Sequence, residues 1–77
     1  MSPDKLARMA NQIAKFFETR PHDEAVEGVA AHISDFWEPR MRAQFFELLE
    51  TQPELFSGLV RDAAPKVRTV TAKAANA

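Results

Sequence analysis

Histidines, serines and arginines are the side chains here with chemistry to offer, and their spacing limits what they can do. His22 and His32 lie ten residues apart. A helical zinc site sets its imidazoles one turn apart, at i and i+4, so that both converge on one ion. Neither histidine has such a partner. His22-Asp23-Glu24 lines up three possible ligands, but neighbours at a helix start point in diverging directions. The two acids suit instead the positive N-terminal end of a helix dipole. His32 falls on the edge of a helical pattern, where a surface or interface hydrogen bond is its natural use. Ser2, Ser34 and Ser57 have no base at a recognisable spacing, the two glycines form no phosphate loop, and cysteine is absent. That absence removes disulfides, thiolate nucleophiles, cysteine-ligated zinc and iron–sulfur ligation together. No catalytic, cofactor-binding or metal-binding residue is therefore expected.

Recognition is the chemistry that remains. Phe36-Trp37-Glu38-Pro39-Arg40-Met41-Arg42 joins the sole tryptophan to a phenylalanine, a proline break and two arginines around a methionine. Trp, Phe, Met and Arg are enriched in the cores of protein interfaces. A guanidinium binds carboxylate or phosphate forks well. Two residues apart on a helix, Arg40 and Arg42 diverge, so separate contacts to acidic side chains or carbonyls are expected rather than one shared anion. A plainer reading buries Phe36 and Trp37 in a small core and leaves both arginines in water. Residue chemistry alone leaves the two readings open.

Four helical patterns punctuated by prolines must position these groups. The first runs from about Pro3 to Thr19: Ser2 can cap it, Pro3 suits the first helical position, and Pro21 stops it. Leu6, Met9, Ala10, Ile13, Phe16 and Phe17 share one face at helical spacing. The second covers about Asp23 to Phe36, with a stripe of Ala25, Val26, Val29, Ala30, Ile33 and Phe36 or Trp37. Gly28 inside it either permits close approach by a neighbour or is simply tolerated, at up to about 1 kcal/mol. The third starts near Pro39 or Arg40, ends near Glu50 and turns Met41, Phe45, Leu48 and Leu49 to the core. The fourth follows Thr51, whose spacing to Glu54 fits a capping box with Pro53 in the first turn. Leu55, Phe56, Leu59, Val60 and Ala63 form its apolar side, and Pro65 ends it. The fold expected is all-α: a small compact bundle of three to four short helices over residues 1–65, followed by a flexible C-terminal tail over 66–77.

Seventy-seven residues allow one small domain, worth roughly 4–12 kcal/mol at ordinary per-residue stability. Ten basic and eleven acidic residues give a net charge of -1, which argues against nucleic acid as partner. The third pattern begins with arginines, but Phe45-Phe46-Glu47 and Glu50 oppose a DNA-reading helix. No apolar run approaches the ~20 residues of a membrane span, and Met1-Ser2-Pro3-Asp4 lacks the features of a secretory signal. A cytoplasmic protein, with no membrane partner, is expected. Phe16-Phe17, Phe36-Trp37, Phe45-Phe46 and Leu48-Leu49 are adjacent apolar pairs. Helical neighbours point about 100° apart, so both members of a pair cannot face one narrow core. The surplus favours an interaction protein, unless the helices wrap widely enough to use both members.

Two segments together carry a resemblance. Lys5-Leu6-Ala7-Arg8-Met9-Ala10-Asn11-Gln12-Ile13-Ala14-Lys15-Phe16-Phe17 and Val29-Ala30-Ala31-His32-Ile33-Ser34-Asp35-Phe36-Trp37-Glu38-Pro39-Arg40-Met41-Arg42, with Pro21 between them, resemble the delta subunit of soluble, NAD-dependent, molybdenum-containing formate dehydrogenase. The resemblance covers about residues 3–65 and is strongest over 5–42. It implies an accessory, non-catalytic chain that binds the large alpha subunit and supports assembly or stability of the complex. In that family the alpha subunit holds a molybdenum or tungsten bis-pterin cofactor and iron–sulfur clusters. A beta subunit with FMN passes electrons to NAD, and a gamma subunit carries a further cluster. Carried onto this chain, it marks Phe36, Trp37, Pro39, Arg40, Met41 and Arg42 as the contact with the large subunit. Met9, Asn11, Gln12 and Phe16 form an adjoining patch or its internal support. The alternative is a free-standing homo-oligomeric helical regulatory or interaction protein, whose apolar surplus serves self-association.

Overall fold

Prolines set three of the helix starts in the computed structural model, which describes residues 2–68. Helix α1 spans Pro3–Phe17, α2 His22–Phe36 and α3 Pro39–Thr51. A 3-10 turn at Pro53–Leu55 leads into α4, Gly58–Ala63, and a second 3-10 turn at Ala64–Lys66 follows. No strand occurs among the described residues, and none of their helices is long and apolar enough to cross a membrane. The all-α expectation holds.

Ser2 caps α1 by accepting the backbone N–H of Lys5 at 3.2 Å. The helix stops two residues short of Thr19, in a turn closed by the Arg20 N–H on the Phe17 carbonyl. Its buried side is Leu6, Ala7, Ala10 and Ala14. Met9 and Ile13 are only partly buried and Phe16 is out. The inward face is therefore rotated toward alanines, which let α1 lie close against α2. Gly28 serves that approach: a Cβ there would stand 2.5 Å from the Phe17 ring. Of the two uses open to this glycine, close approach is the one realised.

Phe45, Leu6, Ile33, Val29 and Val60 are the fully buried centre. Phe45 meets Trp37 edge-on at 5.8 Å and Phe56 edge-on at 5.3 Å, the geometry that the ring quadrupoles favour.

The fourth helix departs from expectation. It does not run from Thr51, and no capping box forms there. The Thr51 hydroxyl instead donates back to the Glu47 carbonyl at 3.0 Å. After the 3-10 turn the chain extends at Phe56, and Ser57 caps α4 through the Val60 N–H. The reason lies in α1. The Asn11 amide donates to the Leu55 carbonyl at 3.0 Å and accepts the Ser57 N–H at 2.8 Å. That grip opens the helix between Leu55 and Ser57 and sends Phe56 into the core, where it is 3% exposed.

Packing also continues past Pro65. Val67 is buried, and the Arg68 N–H reaches the Ser34 hydroxyl at 2.8 Å. The remainder of the segment expected as a tail, 69–77, lies outside the described residues.

Candidate partner interface

Phe16-Phe17 and Phe36-Trp37 each leave one ring outside, whereas Phe45-Phe46 and Leu48-Leu49 pack both members against the core. Trp37, Phe45 and Leu48 are buried; Phe46, Leu49 and Phe17 are partly so. Phe16 and Phe36 are left 68% and 74% exposed, the two large apolar side chains standing in water among the described residues. Burying one such ring is worth about 1.5–3 kcal/mol, so their exposure forgoes stability that a partner could recover.

Both belong to one region. A groove of about 470 Å³ between α1 and α2 is lined by Met9, Gln12, Ile13, Phe16, Phe17, His32 and Trp37. Phe16 stands edge-on to Phe17 at 5.0 Å. The partly buried His32 ring stacks against Phe36 at 4.8 Å, which carries the apolar surface onward to that phenylalanine. Arg20 lies over the Phe17 ring, 5.6 Å from its centre, within range of a cation–π contact. A second hollow abuts the first, with Gln12 common to both. Its lining includes Arg8 and Lys15, with Asp4 as its one acid.

The residues expected at an interface thus divide into three kinds. Met9, Gln12 and Phe16 line the groove, and Phe36 flanks it. Pro39 and Arg40 are exposed and Met41 half-buried at the start of α3. Trp37, Asn11 and Arg42 serve the fold: Trp37 is 5% exposed, with its edge in the groove, and Asn11 holds the α4 approach. Arg42 is 8% exposed, and one of its terminal nitrogens donates to the carbonyls of Trp37 at 2.7 Å and Ser34 at 3.3 Å. Its Nε is buried without a partner. Arg68 reaches the same Ser34 carbonyl and the Asp35 carboxylate. The last turn of α2 has no basic residue of its own; two arginines from elsewhere in the chain attend the negative end of its dipole. Ile13 and Phe17, which spacing places on the apolar face of α1, also line the groove, and no sequence pattern marks the basic hollow. Gly28 was the available signal for Phe17.

A hollow of about 760 Å³ between α2 and α4 is charged, with His22, Glu27, Asp62 and Lys66 on its walls. His22 pairs with Asp62 at 3.3 Å and Lys66 with Glu27 at 3.0 Å, all more than half exposed. Exposed pairs of this kind contribute little. Among the described residues no three histidines or carboxylates gather to hold a metal ion. The apolar groove, with two exposed aromatic rings in or beside it, is the better candidate site.

A family model described as "NADH-dependant formate dehydrogenase delta subunit FdsD" matches residues 5–64. The match takes in most of the chain, which belongs to that family. No curated protein and no solved structure gives a match.

Proposed function

We propose that this delta-family chain is a non-catalytic, cytoplasmic accessory subunit, bound to the large molybdenum subunit of an NADH-dependent formate dehydrogenase and supporting assembly or stability of the complex. The family match over residues 5–64 carries the reading. The exposed Phe16 and Phe36 support it, because an open aromatic surface on so small a chain is suited to being covered. In this reading the bis-pterin metal, the clusters, the FMN and the NAD site belong to the alpha, beta and gamma subunits. This chain, without cysteine, brings no thiolate ligand to a cluster.

The test is purification of the chain, tagged at its C-terminus, from its native host under mild conditions, with its companions identified by mass spectrometry. Formate dehydrogenase subunits in stoichiometric amounts are the expected result. An apo large subunit alone would assign the chain to assembly rather than to the mature enzyme. Recovery of the chain by itself, as a sharply unfolding homodimer and with the dehydrogenase intact elsewhere, would select the self-associating alternative.

A further inference from the structure

We infer that the α1–α2 groove receives one amphipathic helix of the partner subunit, apolar along the seam and acidic on the flank that faces α1. The inference rests on the accessory-subunit reading and adds the chemistry of the occupant.

Three observations carry it. Met9, Ile13 and Phe16 fall at i, i+4 and i+7 on α1 and line the groove together. They span about two helical turns, the footprint of a helix laid in a groove. Backbone supply is the second. The walls are helices whose peptide groups are already bonded, and no strand edge exists among the described residues. An occupant must bring its own backbone hydrogen bonds, as a helix does. Charge is the third. α1 carries Lys5, Arg8 and Lys15 against the single acid Asp4, in a chain of net charge -1. Arg8 and Lys15 stand in the hollow that abuts the groove across Gln12, and neither takes part in an ion pair among the described residues. Arg20 adds a third cation at Phe17. Fixed charge beside an apolar seam sets register and orientation, and its complement is a row of Asp or Glu.

Photo-cross-linking in the intact complex tests the inference. Phe16 of the full-length chain is replaced by p-benzoylphenylalanine, the chain is co-expressed with the dehydrogenase subunits, and the purified complex is irradiated and sequenced by mass spectrometry. The expected adduct lies on one partner segment with apolar residues three and four apart and at least two acids along one flank. Alongside it, Arg8→Glu with Lys15→Glu is expected to cut recovery of the partner at least tenfold while circular dichroism is unchanged. An adduct on an extended or acid-poor segment, or on a second copy of this chain, overturns the inference. Full recovery by the charge-reversed chain does so too. Failure of the unsubstituted tagged chain to recover any dehydrogenase subunit is a separate result, which removes the accessory reading and this inference with it.

Discussion

Arg42 carries a guanidinium into the interior, where it joins no ion pair among the described residues. Its compensation is the Ser34 and Trp37 carbonyls, at the end of α2 where the dipole is negative. Arg42→Met keeps the aliphatic stem, removes the donor to the Trp37 carbonyl and leaves the Ser34 carbonyl to Arg68. A loss of about 1–3 kcal/mol is expected, the ordinary worth of charge-assisted hydrogen bonds, read from the urea midpoint followed by circular dichroism. A change under about 0.5 kcal/mol would mean that the unpartnered Nε already cancels the gain. Trp37→Ala empties a site against Phe45 and is expected to cost about 3–5 kcal/mol. Set against roughly 4–12 kcal/mol for a chain of this size, that is a large share of the total, and a strongly lowered urea midpoint is expected in the same assay. The divergence of Arg40 and Arg42 was legible from their spacing. Which of them turns inward was not, because the extended backbone at Trp37 and Glu38 brings the end of α2 over the first turn of α3.

Asn11 shows how one side chain decides an element far along the chain. Helices α1 to α3 could be read to within two residues because Pro3, Pro21 and Pro39 act locally. The fourth read as continuous because Leu55, Phe56, Leu59, Val60 and Ala63 keep helical spacing. What breaks it is an amide 44 and 46 residues earlier in the sequence, and no local pattern can announce that. Asn11→Ala is expected to cost about 1–2 kcal/mol, two hydrogen bonds at their usual net worth. Asn11→Asp keeps the acceptor for Ser57 and loses the donor to Leu55, so a smaller loss is expected. Urea unfolding of the two variants beside the parent checks the order. Equal losses would show that the Ser57 bond contributes nothing.

At the scale of the molecule, Phe16-Phe17 and Phe36-Trp37 each turn one ring toward the core and leave the other in water. Adjacency favours some aromatic surface outside without deciding it; the rotation of α1 toward its alanines puts Phe16 there. Phe16→Ser with Phe36→Ser is accordingly expected to shift unfolding stability by no more than about 0.5 kcal/mol per site, while co-purification of the dehydrogenase subunits is lost. A chain that unfolds early would place these rings in the core instead. Trp37 stands on the boundary between the two tasks, edge-on to Phe45 inside and with one edge in the groove outside. It is the only indole, and the chain has no tyrosine, so ultraviolet emission excited at the red edge comes from that single point. Unfolding wets the ring and moves its emission to longer wavelength; a partner laid in the groove dries the outer edge and moves it the other way. The protein is its own optical probe, and docking can be titrated without attaching a dye.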